Sequence, residues 1–132
     1  EEQGADVGDI PTLELREYIF DMPLLMAAAD LVLCRAGAST LAEIMACGTA
    51  SILVPSPNVT DNHQEKNARV VEKGGAAKVM VESEFDAKQL YGAVAELLND
   101  KSRLKEMGEN ARRLAVSDAA ERIYEIIMEI VK

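Results

Sequence analysis

The chain has 132 residues, 48% of them apolar and 28% charged, with a formal net charge of −9. One domain of this length buries roughly two thirds of its unfolded surface, no apolar run approaches the ~20 residues of a membrane span, and the acidic balance argues against nucleic acid as the main partner. The acid is concentrated at the front, where residues 1–30 hold eight carboxylates against one base, Arg16, so the front would not dock on anionic lipid.

Residues 1–11, EEQGADVGDIP, read as a connector, and an opening without Met or an apolar leader reads as that of a cytoplasmic fragment. Leu13, Leu15 and Ile19 alternate with Glu14, Arg16 and Tyr18, which predicts a half-wet strand over Leu13–Ile19 near a sheet edge. Asp21 or Met22 before Pro23 opens a short helix through Leu24–Ala29. Leu31–Cys34 is an apolar run short enough for a buried strand. Beyond Gly37 the spacing turns helical, with Leu41, Ile44 and Met45 on one face, and Gly48 sits where a helix ends. Ser51–Pro55 is the third strand, followed by the turn-rich loop SPNVTDNH. Gln64–Lys73 is a helix stopped by Gly74 and Gly75, and Ala76–Val81 is the fourth strand. Three helices, over residues 86–99, 101–114 and 117–131, close the chain. Strands alternating with helices predict an α/β fold, a Rossmann-like parallel sheet flanked by helices. Ligands of such sheets sit beyond the carboxyl ends of the strands, where residues 34–40 and 55–64 converge.

The stretch CRAGASTLAEIMACG, Cys34 to Gly48, has the layout of a phosphate cradle: strand, glycine turn, and a helix opened by Ser39 or Thr40. The first N–H groups of that helix lack internal partners, and Gly37 and Ala38 leave them open to an anion. Glu43 has two readings. It completes a capping box with Thr40, or its two oxygens accept hydrogen bonds from the adjacent hydroxyls of a ribose. Gln64 carries the same ambiguity, as a cap partner of Asp61 or as a ligand of sugar hydroxyls. His63, the only histidine, is the one ready general base, yet no acid at a triad spacing supports it. Asn67 and Arg69 are expected to brace the loop, and the six methionines to fill the core. Cys34 and Cys47 lack a Cys-x-x-Cys partner and read as small buried reduced thiols, so neither metal nor cofactor is expected. In the last helix Ile123, Ile126, Ile127 and Ile130 form one apolar stripe, and Tyr124, Met128 and Val131 a second beside it. An arc that wide wants two neighbours.

Taken together, RAGASTLAE, the strand ending ILVPSP and the segment DNHQEKNA resemble the carboxyl-terminal domain of the MurG family, two-domain (GT-B) transferases that add N-acetylglucosamine (GlcNAc) to lipid I, undecaprenyl-pyrophosphoryl-MurNAc-pentapeptide, in peptidoglycan synthesis. The resemblance runs from about Tyr18 onward and includes AADLVLCRAG, GGAAKVM and SDAAERI. It implies that Ile19 presents backbone groups to uracil and that Ala38, Ser39 and Thr40, with Leu41 and Ala42 behind them, line the diphosphate of UDP-GlcNAc. Glu43 would hold the ribose, and Gln64 with His63 would contact GlcNAc. The family inverts the sugar and steadies the leaving diphosphate with a helix start rather than a metal. The intact enzyme is expected as a peripheral protein on the cytoplasmic face of the bacterial membrane.

The departures are as informative. The amino-terminal domain that binds the lipid acceptor and the GGSxG segment that opens the donor domain are not in this sequence, so no catalytic residue is expected in it. Residues 12–132 are expected as a partial donor-binding domain. In the family's strand order two strands stand between the equivalents of Leu13–Ile19 and Leu31–Cys34. Their absence is expected to leave an open edge, and copies are expected to associate there or through the last helix. Two further readings are a soluble donor-binding subunit needing a membrane partner and a binding module without chemistry. A UDP-sugar epimerase shares the fold, but no second convincing carboxylate falls in the crevice.

Overall fold

A computed structural model describes residues 10–132, so all but the last two residues of the expected connector lie outside it. In chain order it forms α1 (Met22–Ala28), β1 (Val32–Cys34), α2 (Ala38–Cys47), β2 (Ser51–Leu53), α3 (His63–Lys73), β3 (Ala77–Val79), α4 (Ala87–Asn99), α5 (Lys101–Leu114) and α6 (Ala119–Ile130). Short 3-10 turns lie at Thr60–Asn62 and Glu82–Glu84. The three strands make one parallel sheet in the order β1-β2-β3. The register aligns Cys34 with Leu53 and Leu53 with Val79. All three carboxyl ends therefore emerge on one side.

Helices cover both faces of the central strand, so β2 is buried throughout and shows no polar alternation. On one face Leu53 and Val79 pack with Met26, Leu41, Ile44, Ala68 and Val71. On the other, Ile52 packs with Ala93, Leu97 and Met107. Helix α5 serves both clusters, through Ala111 on one and Met107 on the other. Its approach to the end of α2 depends on two glycines. Gly48 closes α2 in the left-handed region at φ 66°, donating to the Ile44 and Met45 carbonyls. A Cβ on Gly108 would lie 2.6 Å from the Gly48 carbonyl oxygen. The buried Thr49 hydroxyl donates to the Met26 carbonyl at 2.7 Å and ties α1 to the sheet. Asp86 and Gln89 form a reciprocal capping box that starts α4.

Three expectations are corrected here. No strand forms over Leu13–Ile19: the alternation is present, but Leu13, Leu15 and Tyr18 find neither a ladder nor an apolar floor and remain exposed. The outer edge of β1 is unpaired among the described residues. In α6 no residue is buried, so the two neighbours its wide apolar arc wants are not supplied by the described residues. The methionines divide: Met26 and Met107 are core, whereas Met22 and Met128 are exposed.

Candidate functional site

The site is built where β1 runs into α2. Gly37 is the N-cap, extended at φ −65° and ψ 146°, and its carbonyl accepts the Leu41 N–H at 3.0 Å. The helix thus opens at Ala38, one or two residues before the expected Ser39 or Thr40. The N–H groups of Ala38, Ser39 and Thr40 find no backbone acceptor among the described residues, and no side chain caps them. They point along the helix axis from its positive end. A Cβ on Gly37 would meet only Thr40 Oγ1, at 3.9 Å, so nothing within the described chain crowds this position. Leu41 stands apart from the other candidates. Its side chain is core and its N–H is taken, so it offers the crevice nothing.

Thr40 is the third helical residue rather than the N-cap, so the capping box with Glu43 does not form. Ala42 and Glu43 are both exposed, a turn and more into α2. Ile19 is half-buried in the irregular segment before α1.

The loop between β2 and α3 supplies the facing wall. Gln64 is not a cap for its helix, whose N-cap is Asn62. Instead Gln64 Oε1 accepts the Ser56 N–H at 2.9 Å and pins the two ends of the loop together. Asp61 and Asn62 both take left-handed conformations, φ 55° and 54°, which Asp and Asn tolerate better than most residues. His63 is exposed, and its Nδ1 lies 2.8 Å from the Thr60 carbonyl. A carbonyl only accepts, so Nδ1 is the donor in this contact. Arg69 does not reach the loop. It pairs within α3 with Glu65 and Glu72, while Glu72 also accepts the Val79 N–H at 2.9 Å. The Asn62 amide, donating to Glu65 at 2.8 Å, and then Arg69 hold the Glu65 carboxyl below its ordinary range.

One residue escaped the sequence reading. Arg35, directly after β1, donates to the Val54 and Pro55 carbonyls at 3.5 and 3.4 Å. It also donates to both oxygens of Glu82, at 3.1 and 3.4 Å. Its signal was available: a cation and an acid follow parallel strands at the same end of the sheet.

A cleft of about 220 Å3 runs between the β2–α3 loop and the turn after β3, lined by Pro55, Pro57, Asn62, Glu65 and Glu82, and no residue of the α2 start lines it. A larger cleft, about 450 Å3, lies at the opposite end beside Asp30, Gly48 and Lys101, far from the start of α2. Among the described residues no group of three His, Cys, Asp or Glu side chains could hold a metal ion. Burial pushes the Cys34 thiol up, and Cys47 donates to the Pro23 carbonyl at 3.5 Å. The arrangement suits anion binding by backbone N–H groups, with polar side chains displayed around it.

The sequence profile of the glycosyltransferase family 28 C-terminal domain matches residues 1–123. Similar proteins include the UDP-N-acetylglucosamine--N-acetylmuramyl-(pentapeptide) pyrophosphoryl-undecaprenol N-acetylglucosamine transferase of Acetivibrio thermocellus, 48% identical over 96% of this chain and 35% of its own. Its namesake numbered 1 in Bacillus cereus is 43% identical over 95% of this chain and 34% of its own. The chain therefore spans about a third of the length of these relatives. Among solved structures, Acinetobacter baumannii MurG superposes with a TM-score of 0.79 at 35% identity, covering 85% of this chain and 32% of that one. The glycotransferase of kitacinnamycin, at 21% identity, shares the fold with a TM-score of 0.61. With the profile running from residue 1 into α6 and the parallel sheet matched in a solved relative, the chain belongs to the glycosyltransferase family 28 C-terminal domain family.

Proposed function

We propose that this chain is the donor-binding part of an inverting glycosyltransferase, which takes UDP-GlcNAc and delivers GlcNAc to the undecaprenyl-pyrophosphoryl-MurNAc-pentapeptide acceptor. The observation that carries the reading is the start of α2. It presents the N–H groups of Ala38, Ser39 and Thr40 beside a glycine that no crowding or positive φ in the described chain requires. A diphosphate accepts three such donors and is favoured by the helix dipole. On this reading Glu43, along the same helix, binds the ribose, and Ile19 offers backbone groups to uracil. Gln64 and His63 meet the sugar from the facing loop. Gln64 keeps its amide nitrogen and second lone pair for that purpose while its oxygen holds Ser56.

The chain alone is expected to bind without turnover, since it supplies half a crevice. On this reading the other half, with the acceptor, lies in the roughly two thirds of the relatives' length that this chain does not match. That division makes residues 12–132 a partial domain. No helix among the described residues is long and apolar enough to cross a membrane. Peripheral attachment of the whole protein to the cytoplasmic membrane face belongs to the same proposal. Association of copies through the free β1 edge or the open face of α6 belongs to the same proposal, and light scattering of the purified chain reads it directly.

The test is an NMR titration of the chain with UDP-GlcNAc and UDP. Weak binding, on the order of millimolar, should shift the Ala38–Thr40 amides. Gly37→Ala should weaken it and leave the urea midpoint nearly unchanged. Equal affinity in the parent and Gly37→Ala, with the Ala38–Thr40 amides unmoved by ligand, would refute the assignment.

A further inference from the structure

We propose that Arg35 and Glu82 form a latch that sets the β2–α3 loop, and with it Gln64, at the distance from α2 that a sugar nucleotide requires. The inference rests on the donor reading above and names two positioning residues in it.

The geometry converges on one guanidinium. Arg35 leaves the sheet two residues before Gly37, so its backbone is continuous with the start of α2. Its Nη1 reaches the Val54 and Pro55 carbonyls, where the chain leaves β2. Both nitrogens meet the Glu82 carboxylate, where the chain turns after β3. One planar fork thus joins the carboxyl ends of all three strands, a task that needs several donors in fixed directions. From Pro55 the constraint passes on within one residue, because the Ser56 N–H is bound by Gln64. Arg35 therefore holds one end of the loop and Gln64 locks it to α3, so the Gln64 carboxamide is placed by contacts that start from the α2 side.

A stabilising role does not account for the pair. Both side chains are about half exposed, 51% and 49%. Exposed ion pairs contribute little to folding. What such a pair does well is choose one arrangement of two loops. Glu82 also lines the cleft beside Pro55 and Asn62 and the neighbouring one beside Leu33 and Phe85, so it stands between the loop and the free side of β1.

The rival role for Arg35 is direct: a cation that binds the diphosphate itself. The two roles differ in what Glu82 does. In the latch, Arg35→Lys and Glu82→Gln act in the same direction, because each loosens the same fork. For a direct cation, Glu82→Gln would release charge toward the ligand and strengthen binding.

The experiment measures UDP-GlcNAc and UDP dissociation constants by NMR titration for the parent chain, Arg35→Lys, Glu82→Gln and the double variant. Hydrogen exchange of the Ser56 amide is read on each without ligand. The latch predicts that both single variants speed Ser56 exchange and weaken UDP-GlcNAc about three- to tenfold, the value of a hydrogen bond to the sugar. UDP affinity should stay within about twofold, and the double variant should lose little more than either single one. Equal loss for UDP and UDP-GlcNAc in Arg35→Lys, with tighter binding in Glu82→Gln, would overturn the latch in favour of the direct cation. Unchanged Ser56 exchange in both variants overturns it without reference to any ligand. A parent chain that binds neither nucleotide would instead remove the donor reading, and the exchange data would still judge the loop.

Discussion

Glu43→Gln separates binding from folding at one position, because the structure has removed the folding role. Glu43 lies a turn and a half into α2, exposed, and the N-cap is Gly37. An exposed helical carboxamide in place of a carboxylate should keep stability within about 0.5 kcal/mol. The effect on a ribose is larger. Hydrogen bonds to a charged acceptor contribute about 1.5–3 kcal/mol and neutral ones about 0.5–1.5. The difference, about 1 kcal/mol, is roughly fivefold in affinity. Loss of negative charge near the diphosphate acts in the opposite sense, so affinity for UDP alone would blur the result. The discriminating assay compares UDP with 2′-deoxy-UDP by NMR titration. The parent should prefer the ribonucleotide by about tenfold or more, and Glu43→Gln should reduce that preference about fivefold, with an unchanged urea midpoint. An unchanged preference would remove Glu43 from the ribose site. A fall in stability of more than about 1 kcal/mol would show that the side chain has a folding role the structure does not display.

Other expectations address the frame around the site. Gly92→Ala and Gly108→Ala make the same change at an exposed position of α4 and a buried one of α5. A Cβ on Gly92 meets nothing within 4 Å, so helix propensity should stabilise by about 1 kcal/mol. At Gly108 contact with the Gly48 carbonyl should cost about 1–3 kcal/mol from overpacking, and urea midpoints moving in the same direction would refute this. Thr49→Val keeps the shape but strands the Met26 carbonyl. A loss of about 1–2 kcal/mol is expected, with exchange rising first in α1. Glu65 is held below the ordinary carboxylate range, so its contribution is full above its unfolded pKa and disappears as pH falls through the lower folded value. Glu65→Gln should therefore flatten the acid side of a stability-against-pH curve by lowering the neutral plateau, with stability at the acid end nearly unchanged. A curve of unchanged shape would refute it.

Most of the frame was legible because it is local. Apolar period and glycine stops located α2 to within two residues, and α5 was read at Lys101–Leu114, the bounds it takes. Gly48 announced itself as a helix end, and the observed φ is the one that favours glycine. What failed was contextual. Thr40-x-x-Glu43 and Asp61-x-x-Gln64 both satisfy the spacing of a cap. Gly37 and Asn62 took those places because the chain leaves the strand or loop one to three residues earlier or later than spacing implies. The alternation at Leu13–Ile19 describes a segment able to be a strand, and the ladder that would make it one lies beyond its own sequence. Arg35 was missed for the same reason: its partners are 19, 20 and 47 residues away, and no short motif contains them.

The openness of α6 bears on when that helix exists at all. Its 12 residues have none buried, and nucleating a helix fixes several dihedrals before the first bond is formed. Apart from the Arg122–Asp118 pair at its start, little but intrinsic propensity holds it. Segments of that length are marginal in water on their own. In the isolated chain its amides should exchange at rates close to those of a free peptide, and proteases should cut there first. Whatever covers Ile123 and Ile127 would then supply the free energy that winds the helix, so ordering and docking become one event. The carboxyl-terminal helix would report, by its own folding, whether the rest of the protein is in place.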